Sequence, residues 1–217
     1  MTLPRPQALL FDWDNTLVDT WAVIHQALNV TLRAMGQAAW TLEETRARVR
    51  ASARDSFPEL FGSRADEAMV LFYGTYEQEH LTHLQALPGV EEMLAGLAAD
   101  TCYLGVVSNK KGSILRREAA HLGWDRWFGR LVGAEDAAAD KPARAAVDLA
   151  LESSGLAAGP EVWFVGDTDI DMTCAHAAGC TPILLREAAP ALGEFGAHPP
   201  HRHAATCAEL MACIREV

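Results

Sequence analysis

Short apolar runs punctuate the chain at Ala8–Phe11 (ALLF), 102–107 (CYLGVV), around 130–133, at 162–165 (VWFV) and at 182–185 (PILL), and each predicts a β-strand. Between the later runs the apolar residues recur at helical spacing, in GVEEMLAGLAAD, KGSILRREAAHLGW, PARAAVDLALESSG and DIDMTCAHAAG, the last two closed by a glycine. Strands that alternate with helices in this way predict an α/β fold built on a doubly wound parallel sheet.

The alternation lapses between Val18 and Leu87, where roughly seventy residues read as helices without a convincing strand. Trp21, Ile24, Leu28, Leu32 and Met35 recur on one helical face up to Gly36, Thr41 and Glu44 have capping-box spacing, and a third helix fits RADEAMVLFYGTYEQEHL. Pro88 and Gly89 mark the return to the sheet. The expected division is a Rossmann-like core domain over residues 1–17 and 88–217, with an inserted α-helical cap domain over 18–87. An insertion straight after the first strand stands at the carboxyl end of the sheet, where open α/β folds bind ligands, and is placed to act as a lid. The tract GEFGAHPPHRH reads as an irregular loop before a last helix, TCAELMACI. That helix fits internal packing and an interface equally, which leaves the oligomeric state open.

Composition narrows the function classes. Half of the 217 residues are hydrophobic, enough for one good-sized core or a core plus a smaller inserted domain. Lysine and arginine total 18 against 29 acidic residues, a formal charge of -11 that opposes a nucleic-acid surface but not a small anionic ligand. The five cysteines show no CxxC pairing, and their odd count predicts reduced thiols and a cytoplasmic protein. The first residues reach charge after only four apolar positions, and no long apolar run follows, so neither a signal peptide nor a membrane span is expected.

The chemistry begins where the first apolar run ends. Asp12, Asp14 and Thr16 share one side of an extended chain, and two carboxylates so close repel unless a cation or a shared proton relieves them. The same residue types also serve as an acidic helix cap. Further polar residues follow the later strands: Ser108 in VVSNK, Lys141 in ADKP after a loop, and Asp167 with Asp171 in VGDTDID. A parallel sheet brings such strand ends to one edge. There they supply what phosphoryl transfer needs: oxygen ligands for magnesium from Asp12 and Asp167, positive charge from Lys141 and a neutral donor in Ser108. A carboxylate that attacks phosphorus forms an aspartyl phosphate. A second carboxyl, for which Asp14 is positioned, protonates the leaving alcohol and then activates water.

DWDNT, VVSNK, DKP and GDTDIDMTCAHAAG occur in the order found in the haloacid dehalogenase superfamily, and the chain resembles its magnesium-dependent, helical-capped, phosphoglycolate phosphatase-like branch from about Ala8 to Gly179. The resemblance implies a phosphomonoester hydrolase. Asp12 is then nucleophile and metal ligand, Asp14 an acid/base that also lends its backbone carbonyl to Mg2+, and Asp167 the residue that completes the metal site. Ser108 binds the phosphoryl group, Lys141 neutralises charge between phosphate and nucleophile, and Thr16 supports the first motif. Asp171 acts through metal-bound water or by orienting Lys141, and Asn109 donates to phosphate. The implied partner is a small phosphorylated metabolite. For 2-phosphoglycolate, Arg54, with Arg50 and Ser52, is a candidate for the carboxylate.

Competing readings are weighed on particular positions. Asp167, Asp169 and Asp171 alternate like an EF-hand loop, but Met172 stands where the glycine belongs and Ala178 where the bidentate glutamate belongs. His198, His201 and His203 have no acidic or cysteine partner at ligand spacing and read as loop or core residues. Asp14 argues against dehalogenation, and all three lysines lie outside the cap, against a Schiff-base hydrolase. A phosphosugar mutase of the β-phosphoglucomutase type shares the core residues and stands as the alternative. A phospho-accepting switch or silent binding protein, from a different class, needs neither Asp14 nor a cap.

Overall fold

The ALLF run forms strand β1 (Ala8–Phe11), buried at every position because it has a parallel partner on each side. The structure is a computed structural model that describes residues 3–100 and 102–217; residues 1 and 2, which open the expected core domain, and residue 101 lie outside the described residues. After β1 come a two-residue strand β2 (Val18–Asp19) and four helices, α1 (Trp21–Ala34), α2 (Leu42–Arg48), α3 (Ala53–Phe61) and α4 (Ala65–His83). The chain returns through β3 (Gln85–Ala86), paired antiparallel with β2. Helix α5 (Val90–Ala99), β4 (Tyr103–Lys111), α6 (Gly112–His121), β5 (Arg130–Ala134) and α7 (Ala145–Leu151) follow. Then come β6 (Val162–Gly166), α8 (Asp169–Ala178), β7 (Thr181–Leu185), β8 (Arg202–Ala204) and α9 (Cys207–Arg215).

The main sheet has the order β5-β4-β1-β6-β7-β8, with every neighbouring pair parallel. Side-chain alternation along β1 sends Leu9 and Phe11 into a core with Leu94 of α5, Leu115 of α6 and Leu210 of α9. Ala8 and Leu10 face the opposite core, with Val147 of α7 and Ala175 of α8. Both faces of the sheet are thus covered by helices, the α/β architecture the alternation predicts. Helices α1, α3 and α4 enclose a separate small core of Leu28, Leu32, Phe57, Phe61 and Ala68, the helical cap.

Four local features depart from the sequence reading. The last two residues of the expected loop, Arg202 and His203, form β8 together with Ala204, an edge strand defined by its register to Ile183, Leu184 and Leu185 rather than by any apolar pattern. The cap holds a fourth helix, α3, which carries Pro58 inside it. Strand β4 continues through Ser108 to Lys111 past a shift in register, so its polar end is part of the sheet. The two residues of β2 and of β3 are too few to show a period, yet they close the base of the insertion, with Leu87 N–H donating to the Leu17 carbonyl at 2.9 Å. The capping box at α2 forms as its spacing predicts: Glu44 N–H donates to Thr41 Oγ1 at 3.1 Å, and Thr41 N–H to Glu44 Oε2 at 2.8 Å. Among the described residues no helix is long and apolar enough to cross a membrane, and the five cysteines are free.

Candidate active site

Asp12 follows β1, and its N–H donates to the Val165 carbonyl of β6 at 2.8 Å, which holds it beside the end of that strand. Trp13 points the other way, fully buried and edge-on to Trp124, so Asp12 and Asp14 project from the opposite side, toward the cap. Asn15 turns the chain at once through a positive φ of 61°, a conformation asparagine tolerates. Asp167 leaves β6, the strand adjacent to β1, and accepts a hydrogen bond from Thr16 Oγ1 at 3.3 Å.

Lys141 arrives by the loop after β5 and is 2% exposed. Its Nζ donates to Asp12 Oδ1 at 2.6 Å and to Asp171 Oδ1 at 2.7 Å. Asp171 also caps α8, its Oδ2 accepting from Thr168 N–H at 3.0 Å and Thr168 Oγ1 at 2.7 Å, so both oxygens are committed and the carboxylate cannot turn. Gly166 permits that approach: a Cβ there would lie 2.4 Å from the Asp171 side chain.

Oxygens of Asp12, Asp167 and Asp171 lie within 4.8 Å of one another. Burial, opposed by Lys141, pushes the Asp12 carboxyl up to about 7, and Asp171 and Asp14 add to the rise. Burial, then the charges of Asp171 and Asp12, hold Asp167 well above the usual carboxylate range. Burial works against the Lys141 ammonium as well, but Asp12 and Asp171 outweigh it and keep its pKa above the ordinary lysine value. One lysine does not neutralise three carboxylates, and an all-oxygen donor set with surplus negative charge fits a hard divalent cation.

Ser108, buried at the end of β4, lines the same cavity as Asp12, Asp14, Lys141 and Asp167. Thr16, Asn109 and Arg54 each have a partner within the protein. Thr16 donates to Asp167. Asn109 lines the cavity and also clasps the backbone of Lys141, accepting from its N–H at 2.9 Å and donating to its carbonyl at 3.2 Å, so part of its amide is engaged in placing the lysine. Arg54, on the cap, is drawn 2.7 Å from Asp140 Oδ1, a carboxylate with a 1% exposed side chain, and does not line the cavity. Arg50 lines it but sits 3.5 Å from Asp169 Oδ1.

The sequence reading missed a second buried cluster. Lys110 Nζ lies 2.8 Å from Asp14 Oδ1 and binds both oxygens of Glu118, which also accept from Trp13 Nε1 and His80 Nδ1. The available signal was the glutamate at 118, an acidic residue on the buried face of α6. His198 and His201 pack around the His176 ring, with centroids 5.4 and 5.8 Å away. Between cap and core lies a cavity of about 380 Å3, walled on the cap side by half-buried Trp21, Ile24, Trp40, Leu60, Phe72 and Tyr73.

A family model described as "Haloacid dehalogenase-like hydrolase" matches residues 9–185. A phosphoglycolate phosphatase of Xanthomonas campestris pv. campestris is 33% identical over 182 residues, covering 82% of each chain. One from Photorhabdus laumondii subsp. laumondii is 31% identical over 187 residues, covering 82% of this chain and 80% of its own. Among solved structures, a haloacid dehalogenase-like hydrolase of Streptococcus pneumoniae superposes with a TM-score of 0.82 at 22% identity, covering 96% of this chain and 98% of its own. The matched span runs from β1 through β7 and includes every carboxylate and lysine of the site, so the chain belongs to the haloacid dehalogenase-like hydrolase family.

Proposed function

We propose that this protein is a magnesium-dependent phosphatase that hydrolyses a small phosphomonoester through an aspartyl-phosphate intermediate. The observation that carries this reading is the ordered pair of carboxylates after β1: Asp12 held beside Lys141 at the metal-type cluster, and Asp14 on the same side, facing the cap cavity. Asp12, Asp167 and the backbone of Asp14 would hold Mg2+, which supplies charge neutralisation for the phosphoryl oxygens. Lys141 adds a fixed positive charge beside the nucleophile, and Ser108 offers a neutral donor.

Two displacements complete the reaction. A carboxylate oxygen of Asp12 forms a bond to phosphorus as the ester P–O bond breaks, and Asp14 gives its proton to the departing alcohol oxygen. Water then attacks the same phosphorus, its proton passes to Asp14, and the bond from phosphorus to Asp12 breaks. Inorganic phosphate is released and both carboxyls return to their starting states.

The phosphoglycolate phosphatases among the relatives support 2-phosphoglycolate as the first ester to test. The cavity leaves room for a larger alcohol, being within the range that holds drug-sized ligands, so hexose phosphates and arylalkyl phosphates belong in the same panel. The test is phosphate release from that panel with Mg2+ and with excess chelator, with Asp12→Asn as the blank. Metal-dependent release that the variant lacks is the expected result. Isomerisation of β-glucose 1-phosphate without release would replace the reading with a mutase, and release by Asp12→Asn at the wild-type rate would overturn the nucleophile.

A further inference from the structure

Phosphoryl transfer by Asp12 and Asp14 gives no reason to bury a glutamate and a second lysine beside them, yet Lys110 is 5% exposed and Glu118 not exposed at all on their side chains. A buried ion pair of this kind is seldom a net gain in stability over apolar residues of the same volume. Its geometry shows what it holds. The Lys110 ammonium has three protons, and it is surrounded by Asp14 Oδ1 at 2.8 Å, Tyr76 Oη at 2.6 Å and Glu118 Oε2 and Oε1 at 2.8 and 2.9 Å. Glu118 is itself pinned, by Trp13 Nε1 at 2.7 Å on one oxygen and by His80 Nδ1 at 2.9 Å on the other.

On Asp14 the two donors converge on a single oxygen. Oδ1 accepts from Lys110 Nζ at 2.8 Å and from Thr20 Oγ1 at 2.7 Å, whereas Oδ2 has no hydrogen-bond partner among the described residues. A carboxyl held at one oxygen by two donors from different directions cannot rotate, and its other oxygen is the one left to exchange a proton. Lys110, Asp14, Glu118 and Trp13 belong to the core, whereas Tyr76 and His80 come from cap helix α4.

We propose that Lys110, anchored by Glu118 and by Tyr76 and His80 of the cap, is a positioning residue that clamps Oδ1 of Asp14 so that Oδ2 meets the oxygen of the scissile ester bond. The inference rests on the phosphatase reading, in which Asp14 gives a proton to the leaving alcohol and takes one from the attacking water. It assigns Lys110 no contact with the phosphoryl group. Its effect is therefore confined to steps that move a proton through Asp14, and it ties the geometry of those steps to the seating of α4 on the core.

The test compares an alkyl phosphate from the panel with p-nitrophenyl phosphate, whose departing phenolate needs no proton. Lys110→Met keeps the unbranched stem and removes the ammonium with its donors. For this variant kcat on the alkyl ester is expected to fall about 100-fold, the size of a lost acid/base contribution, with KM within about threefold of wild type. The pre-steady-state burst of p-nitrophenolate is expected to stay within about threefold of wild type, while the slower second step lets phosphorylated Asp12 accumulate. Glu118→Gln, which withdraws one anchoring oxygen, is expected to show the same selective loss to a smaller degree, and it carries the test if Lys110→Met fails to fold by circular dichroism. A burst of p-nitrophenolate slowed as much as kcat on the alkyl ester, or no loss on either ester, would overturn the proposal. Wild-type protein that hydrolyses neither ester would instead overturn the phosphatase reading beneath it.

Discussion

At the scale of single residues, the site depends on side chains whose two ends do different work. Asp171 caps α8 with one oxygen and aims Lys141 with the other, and Gly166 is the only residue type that leaves it room. Gly166→Ala is expected to push Asp171 aside and move the Lys141 ammonium with it. A displacement of about 1 Å at a reacting group costs on the order of 100-fold in rate, and the crowding itself about 1–3 kcal/mol. The two effects are separated by kcat on the preferred ester and by urea unfolding; unchanged kcat would show that Asp171 does not control Lys141. Asp12, Asp14, Lys141, Asp167 and Asp171 were all legible in the sequence, because acidic residues and a lysine at strand ends announce themselves. Asn109 and Lys110 carry no such signal: whether an amide clasps a backbone or a phosphate, and whether a lysine is solvated or caged, depends on neighbours 32 and 8 residues away.

At the scale of elements, the contact between cap and core is made by charge as well as packing. Arg54, at the start of α3, reaches Asp140 in the loop before Lys141, and Asp140 Oδ2 already lacks a partner. Arg54→Ala leaves that buried carboxylate without its cation. The expected loss is roughly 2–3 kcal/mol, less than for a wholly buried pair because the Arg54 side chain is 36% exposed. Calorimetry reads this as a lowered Tm, with KM for the preferred ester unchanged; a raised KM at unchanged Tm would return Arg54 to substrate recognition. Helix α3 and strand β8 were not legible. The first has Pro58 within it and the second is three residues long at a sheet edge, so neither shows the period that marks an element.

At the scale of the whole molecule, the carboxylate cluster links stability to protons and to metal. Without a cation, burial holds Asp12 at about 7 and Asp167 well above its ordinary value of 3.8. A carboxyl raised on folding binds extra protons in the native state, so its contribution is full below about pH 4 and is lost as pH rises through about 7. In chelator, Tm is expected to fall between about pH 5 and about pH 8 by an amount equivalent to a few kcal/mol. Mg2+, which binds the native state alone, should restore it at the higher pH and do little at the lower, and Asp167→Asn should blunt the response. A Tm that follows neither pH nor metal would sink the cation site.

The sequence by itself determined the parallel α/β core, the helical cap after the first strand and the strand-end residues that gather in the candidate site. These are local matters: apolar period marks each element, and the parallel arrangement delivers the strand ends to one edge whatever the loops do. The tertiary structure alone decided which polar groups became partners. It joined Asn109 to Lys141 and Arg54 to Asp140, and it placed Lys110 between Asp14 and Glu118. A buried polar atom is satisfied by whatever lies within about 3 Å of it, and that distance is set by the packing of the whole chain, not by spacing along it.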